Sequence, residues 1–182
     1  MDLGTMVREL GTGMLITTEI FVLTLVFSLP LGMVLAFGRM ARLKVLSFLT
    51  KLYISIMRGT PLMLQLIVVY FAPYYVFGMK ISKSYRMIAV ILAFVLNYAA
   101  YFAEIFRGGI IGVSKGQYEA SKALGLTGIQ TMRYVIVPQM IRTVIPPIAN
   151  ETIVLVKDTA LASSIALIDL LKAAQRAVNR DM

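Results

Sequence analysis

The chain contains no cysteine and no histidine. The first absence excludes a disulfide framework, thiolate zinc sites and Cys-attached haem, and the second excludes imidazole acid–base chemistry and Ser–His triads. Charge is sparse as well: Asp, Glu, Lys and Arg make up 15% of the residues, against about 25% in soluble domains. There is no Gly-x-x-x-x-Gly-Lys-Ser/Thr loop, so the chain cannot cradle a nucleotide's phosphates itself. No internal repeat or low-complexity segment is evident. Little room is left for an enzyme.

What is present is apolar. Hydrophobic residues make up 59% of the 182, the composition of a membrane protein. Residues 20–38, 59–79 and 87–103 carry no charge. The first two are long enough, and the third nearly so, to cross a ~30 Å hydrocarbon layer as helices rising ~1.5 Å per residue. A β-barrel would instead alternate with period two over about ten residues.

The net charge of +9 raises the question of nucleic acid, but the basic residues fall in short segments between apolar runs and do not interleave with aromatics on one polar face. The positive-inside rule accounts for them. Arg39, Arg42, Lys44, Lys51 and Arg58 precede the second run with no acidic residue among them; Arg107, Lys115, Lys122, Arg133 and Arg142 follow the third, against Glu119. Both segments are expected in the cytoplasm. The amino terminus, with Asp2, Arg8 and Glu9, is then outside, as is the turn at 80–86. No basic leader precedes the first run and Arg39, Arg42 and Lys44 follow it, so it is expected to stay in the mature protein.

Lys44, Ser47, Lys51, Ser55 and Arg58 form one narrow polar stripe at helical spacing, predicting an amphipathic helix over 43–58. The simplest reading has the stripe facing lipid headgroups. Its boundary is expected at Thr60-Pro61, with Thr capping the next helix and Pro at its first position. Glu104 and Arg107, three apart, predict a pair on one helix. The tyrosines at 70, 74 and 75 suit an outer aromatic belt.

The fourth apolar region, over 143–168, contains Pro146-Pro147 and then Glu151, Lys157 and Asp158. The prolines predict a discontinuous helix, a form that transporters use near midplane sites. Each ionisable group costs roughly 2.5 to 3.5 kcal/mol at a membrane helix centre, so these face protein or a wet cavity. Glu151 and Asp158, seven residues apart, lie within about 20° of each other on a helix and can face one cavity. Structural roles are open too: Asp158 can cap a segment starting at Thr159, and Lys157 can pair with a neighbouring carboxylate.

Between the third and fourth runs, residues 114–130 punctuate themselves as two short helices. Ser114 with Gln117, and Thr127 with Gln130, have capping-box spacing, and Gly125 stops the first helix. Physics alone gives a projecting shape without a partner.

The segment Glu119-Ala120-Ser121, with Gly125 four residues on and Pro138 thirteen after that, resembles the Glu-Ala-Ala loop of bacterial ABC-importer permeases, which docks in a cleft of the ATPase. Ser121 stands where that family has its second Ala. Arg58-Gly59-Thr60-Pro61-Leu62, Ala103-Glu104-Ile105-Phe106-Arg107-Gly108 and Lys157-Asp158-Thr159-Ala160-Leu161 are similar to segments of the polar amino-acid permeases, those of the histidine, glutamine and arginine importers, in their order and spacing.

The resemblance implies an all-α integral membrane protein of the ABC type I importer permease kind, a multi-span bundle in the bacterial inner membrane with a cytoplasmic coupling helix pair. Spans are then expected at about 14–38, 59–79, 87–107 and 139–168, with the coupling loop at 108–137. Such permeases usually have a fifth span after the 170–176 region, expected here to be missing beyond 182. The implied partners are an ABC ATPase dimer, which binds ATP and Mg, a second permease copy, identical or similar, and an extracytoplasmic amino-acid-binding protein; the chain itself holds no cofactor or metal. Gln117, Glu119, Ala120, Ser121, Gly125 and Leu126 become the ATPase-coupling candidates. Glu151, Asp158, Asn97, Thr159 and Gln65 become the substrate candidates, the two carboxylates for a cationic side chain such as that of arginine, lysine or histidine. Glutamine fits if Lys157 cancels one carboxylate. An ion-coupled secondary carrier would also use Glu151 and Asp158, but it has no use for a docking loop.

Overall fold

The computed structural model describes residues 3–80, 82, 85–165 and 174–175. Among them every regular element is a helix: α1 (Leu3–Arg39), α2 (Lys44–Gly59), α3 (Leu62–Phe77), α4 (Tyr85–Ile111), α5 (Lys115–Ala123), α6 (Gly128–Gln130) and α7 (Val137–Asp158). A π-helical stretch, Thr131–Ile136, joins α6 to α7, and a 3₁₀ stretch, Thr159–Ile165, follows α7.

Helix α4 is the hub, packed on by α1, α2, α3 and α7. Its alanines 89, 93, 99, 100 and 103 are buried and let neighbouring backbones approach, while Phe94, Tyr98 and Phe102 fill the space between them. Two glycines fix the closest crossings. A Cβ on Gly32 of α1 would lie 2.8 Å from the Phe102 Cβ and 3.1 Å from the Ala99 carbonyl; one on Gly109 would collide with Val144 and Met140 of α7.

Among the described residues, two helices are long and apolar enough to cross a membrane alone, the α1 stretch Gly4–Arg39 and α4. The expected second run divides differently. α3 has 16 residues, about 24 Å of helix, which is short for a crossing. It meets α2 at a bend of 107°, and the two together make a third candidate. Pro61 holds φ at −62° and Thr60 before it is extended, so helix cannot continue through the pair. Thr60 does not cap α3: its hydroxyl donates back to the Ile56 carbonyl at 2.8 Å, closing the end of α2.

The expected break at Pro146-Pro147 is absent, and α7 runs unbroken through both prolines. Each proline withdraws one N–H from the ladder, but its ring holds φ near the helical value, so helix persists at the cost of two bonds. The irregularities fall at the ends of α7. The π turns directly precede Pro138, where widening the ladder gives the ring room against the Tyr134 carbonyl, and the tightening to 3₁₀ begins at Thr159. Residues 166–168 of the expected fourth span, and the 170–176 region apart from 174–175, lie outside the described residues.

Candidate functional site

A cavity of about 660 Å³ opens where the α2–α3 bend faces α4 and α7, within the ~300–1,000 Å³ of small-ligand pockets. Its polar lining comes from Arg58, Thr60, Asn97, Tyr98, Tyr101, Glu151 and Asp158. Glu151 and Asp158 both line it, two turns apart on α7, as their spacing requires. Asp158 accepts a 2.6 Å hydrogen bond from the Tyr98 hydroxyl, so it is tied across to α4 instead of capping the 3₁₀ turn. Arg58 ends α2 with its guanidinium 5.2 Å from the centre of the Tyr101 ring. The ionisable lining is therefore two carboxylates and one guanidinium, a formal charge of one negative.

The other substrate candidates divide. Asn97 lines the cavity, but its amide nitrogen is engaged, donating to the Met57 carbonyl and the Gln65 Oε1 at 3.0 Å each. Gln65 and Thr159 do not line it. The Gln65 Nε2 donates to the carbonyls of Met57 and Thr60 and to the Thr60 hydroxyl, at 2.9, 3.1 and 2.7 Å. These groups are orphaned where α2 ends without a following turn, so the amides of Gln65 and Asn97 close the bend. Thr159 is buried with its hydroxyl on the Val156 carbonyl at 2.7 Å. Lys157 is exposed and outside the cavity.

Arg58, Tyr98 and Tyr101 were missed as cavity residues. The available signal was Asn97, which shares a helix face with Tyr101, and the charge on Arg58 immediately before a Gly-Thr-Pro break. Glu104 and Arg107 form the expected pair at 2.6 Å.

In the projecting segment, α5 ends in a Schellman motif: the Leu126 N–H donates to the Ser121 carbonyl at 3.0 Å, and that of Gly125 to Lys122 at 2.9 Å. Gly125 has φ +73°, which favours glycine. The Thr127–Gln130 capping box forms; the Ser114 side chain makes no cap bond. Gln117, Glu119, Ala120 and Gly125 are exposed, Leu126 half-buried. Ser121 is buried at 2% exposure, its hydroxyl on the Gln117 carbonyl, so it packs the segment and cannot reach a partner. Leu124 and Ile129, 79% and 82% exposed, are apolar groups that the motif did not single out.

Residues 28–182 match the family described as binding-protein-dependent transport system inner membrane component. A protein named as a glutamine transport system permease of Rickettsia felis is 38% identical over 163 residues, 90% of this chain and 73% of that protein. The L-cystine transport system permease protein of Bacillus subtilis is 35% identical over 95% of this chain and 72% of its own. A crystal structure of an amino acid ABC transporter with histidines superposes with a TM-score of 0.84 at 34% identity, covering 100% of this chain and 84% of that one. With its helices gathered around a charged cavity, the chain belongs to the binding-protein-dependent inner membrane components, among the amino-acid ABC-transporter permeases.

Proposed function

We propose that this chain forms the translocation path for a cationic amino acid, held in the cavity between the α2–α3 bend, α4 and α7. The observation that carries this reading is the cavity's ionisable lining. A substrate α-carboxylate needs a cation, and Arg58 supplies one with a fork suited to carboxylates. The α-ammonium and a cationic side chain need two anions, and Glu151 and Asp158 supply them. A substrate of net charge +1 then balances a lining of net charge −1. A neutral substrate leaves one carboxylate uncompensated, and exposed Lys157 is not positioned to cancel it.

Glutamine is the second reading, favoured by the names of the Rickettsia relatives. For glutamine, one carboxylate takes the ammonium and Asp158, already bonded to Tyr98, plays a structural part.

On this proposal α1, the α2–α3 pair, α4 and α7 cross the inner membrane, with the amino terminus outside. The exposed residues Gln117, Glu119, Ala120 and Leu124 meet the ATPase. A permease pair alternates between outward and inward openings, biased by the segment's different contacts in the two nucleotide states. Hydrolysis takes place in the ATPase.

The test is ATP-driven, binding-protein-dependent uptake in proteoliposomes holding the complete transporter, with radiolabelled arginine and glutamine compared. For Glu151→Gln and Asp158→Asn, arginine uptake is expected to fall at least tenfold with assembly and basal ATPase activity intact. Undiminished arginine uptake in both variants rules out the cationic site, and wild-type uptake of glutamine in preference to arginine establishes the second reading.

A further inference from the structure

Helix α2 packs on its neighbours through Thr50 and Ile54 and leaves both apolar and polar residues uncovered. Its apolar residues Leu49, Leu52 and Ile56 point outward, 55%, 46% and 51% exposed. Its polar stripe flanks the buried face of Thr50 and Ile54: Lys51, Ser55 and Arg58, all exposed, line a second, open cavity of about 350 Å³, bordered by Arg39 from the end of α1 and Glu104 from α4. The Ser47 hydroxyl fastens the stripe to α1, donating to the Arg39 carbonyl at 2.7 Å. An open groove carrying an ammonium and two guanidiniums is expected to hold water, since leaving those charges unsolvated would be costly.

The two cavities are continuous in their lining. Arg58 and Gly59 belong to both. The second carries Arg39, Lys51 and Arg58 against the single carboxylate of Glu104, and Glu104 is already held by Arg107 at 2.6 Å. It is an electropositive chamber directly adjoining an electronegative one. On the cytoplasmic assignment of Arg39 and Lys44, it lies on the inner side.

We propose that this second cavity is a hydrated inner station of the substrate path, in which Lys51 and Arg39 receive the amino acid's α-carboxylate as it leaves Arg58. This rests on the reading that the first cavity holds an amino acid. The chamber's positive charge attracts the carboxylate and repels the cationic end, so the substrate turns carboxylate-first toward the cytoplasm and cannot settle there as tightly as between Glu151 and Asp158. Lys51 and Arg39 then act on release, with little effect on capture.

Because the chain has no cysteine, single thiols report their surroundings cleanly. Ser55→Cys on the stripe and Leu52→Cys on the apolar face, in the full transporter in proteoliposomes, are treated from the cytoplasmic side with anionic and cationic methanethiosulfonates, and labelling of this chain is read by mass. Ser55→Cys is expected to react at least tenfold faster than Leu52→Cys. Its preference for the anionic reagent should exceed that of a free thiol in solution by about tenfold and collapse when Lys51→Gln is added. Saturating arginine is expected to slow the labelling, and Lys51→Gln alone to lower the maximal uptake rate a few-fold with KM unchanged.

Equal labelling at the two positions overturns the hydrated chamber, and an anionic preference indifferent to Lys51→Gln overturns its electrostatic role. Labelling slowed by anionic lipid and unaffected by arginine makes it a headgroup site and overturns the substrate station. If the labelling pattern is as expected while Glu151→Gln leaves arginine uptake intact, the reading of the first cavity fails and that of the second chamber's water and charge does not.

Discussion

The two cavities that meet at Arg58 differ in sign, and the difference comes from which part of which helix faces each. The basic one lies where α1 and α2 end, with Arg39 and Arg58 in their last turns. Helix carboxyl ends favour cations, so positive charge is at its least costly there. The acidic one takes its carboxylates from α7, Glu151 from its body and Asp158 as its last residue, where the helix carboxyl end disfavours negative charge and Tyr98 supplies a hydrogen bond instead. Charge in the basic cavity is partly supported by the fold. In the acidic cavity it is held chiefly by side-chain partners, as expected where a ligand is to complete the balance.

The comparison is broken most severely at the shared residue. Arg58→Gln leaves both carboxylates of the first cavity uncompensated and removes the substrate's carboxylate partner. A charge-assisted bond of about 1.5–3 kcal/mol predicts a loss in kcat/KM for uptake of roughly 10–150-fold. Next comes the wall between the cavities. Gln65→Ala removes its bonds to the Thr60 carbonyl and hydroxyl and to Met57, and takes the Oε1 acceptor from Asn97, at the bend; it should destabilise the assembled transporter by about 1–3 kcal/mol, measurable as a lowered Tm in detergent.

Smaller effects sharpen the contrast. Tyr98→Phe keeps the ring and removes the hydroxyl on Asp158; it should raise KM for arginine about three- to tenfold while leaving the maximal rate nearly unchanged, by a bond of about 1 kcal/mol. Thr127→Ala lies far from both cavities and removes the capping box of α6. It should leave KM unchanged and weaken stimulation of ATPase activity by substrate-loaded binding protein by a few-fold at most, the effect of a cap of about 1 kcal/mol acting only on the coupling segment.

What could be read from the sequence follows a pattern. Periodicity placed Glu151 and Asp158 on one face and drew the α2 stripe, because both are facts about a single helix. That part of the stripe borders an open groove against α1 and α4 was not legible, since the groove depends on residues such as Arg39 and Glu104 brought from other helices by packing. Gln65 and Asn97 were picked out as polar groups in apolar runs, but the bend they close depends on carbonyls orphaned five to forty residues away. Pro146-Pro147 misled because proline weakens a helix without always ending it. Resemblance singled out the candidate coupling segment, and packing then separated exposed Glu119 and Ala120 from buried Ser121.

The most direct measurement is the structure of the complete transporter in lipid nanodiscs with saturating arginine, by electron cryomicroscopy. The account predicts density for one amino acid in the first cavity, its carboxylate on Arg58 and its ammonium and guanidinium shared between Glu151 and Asp158. Arginine bound elsewhere in the membrane domain, or density confined to the binding protein under conditions of active transport, would contradict it.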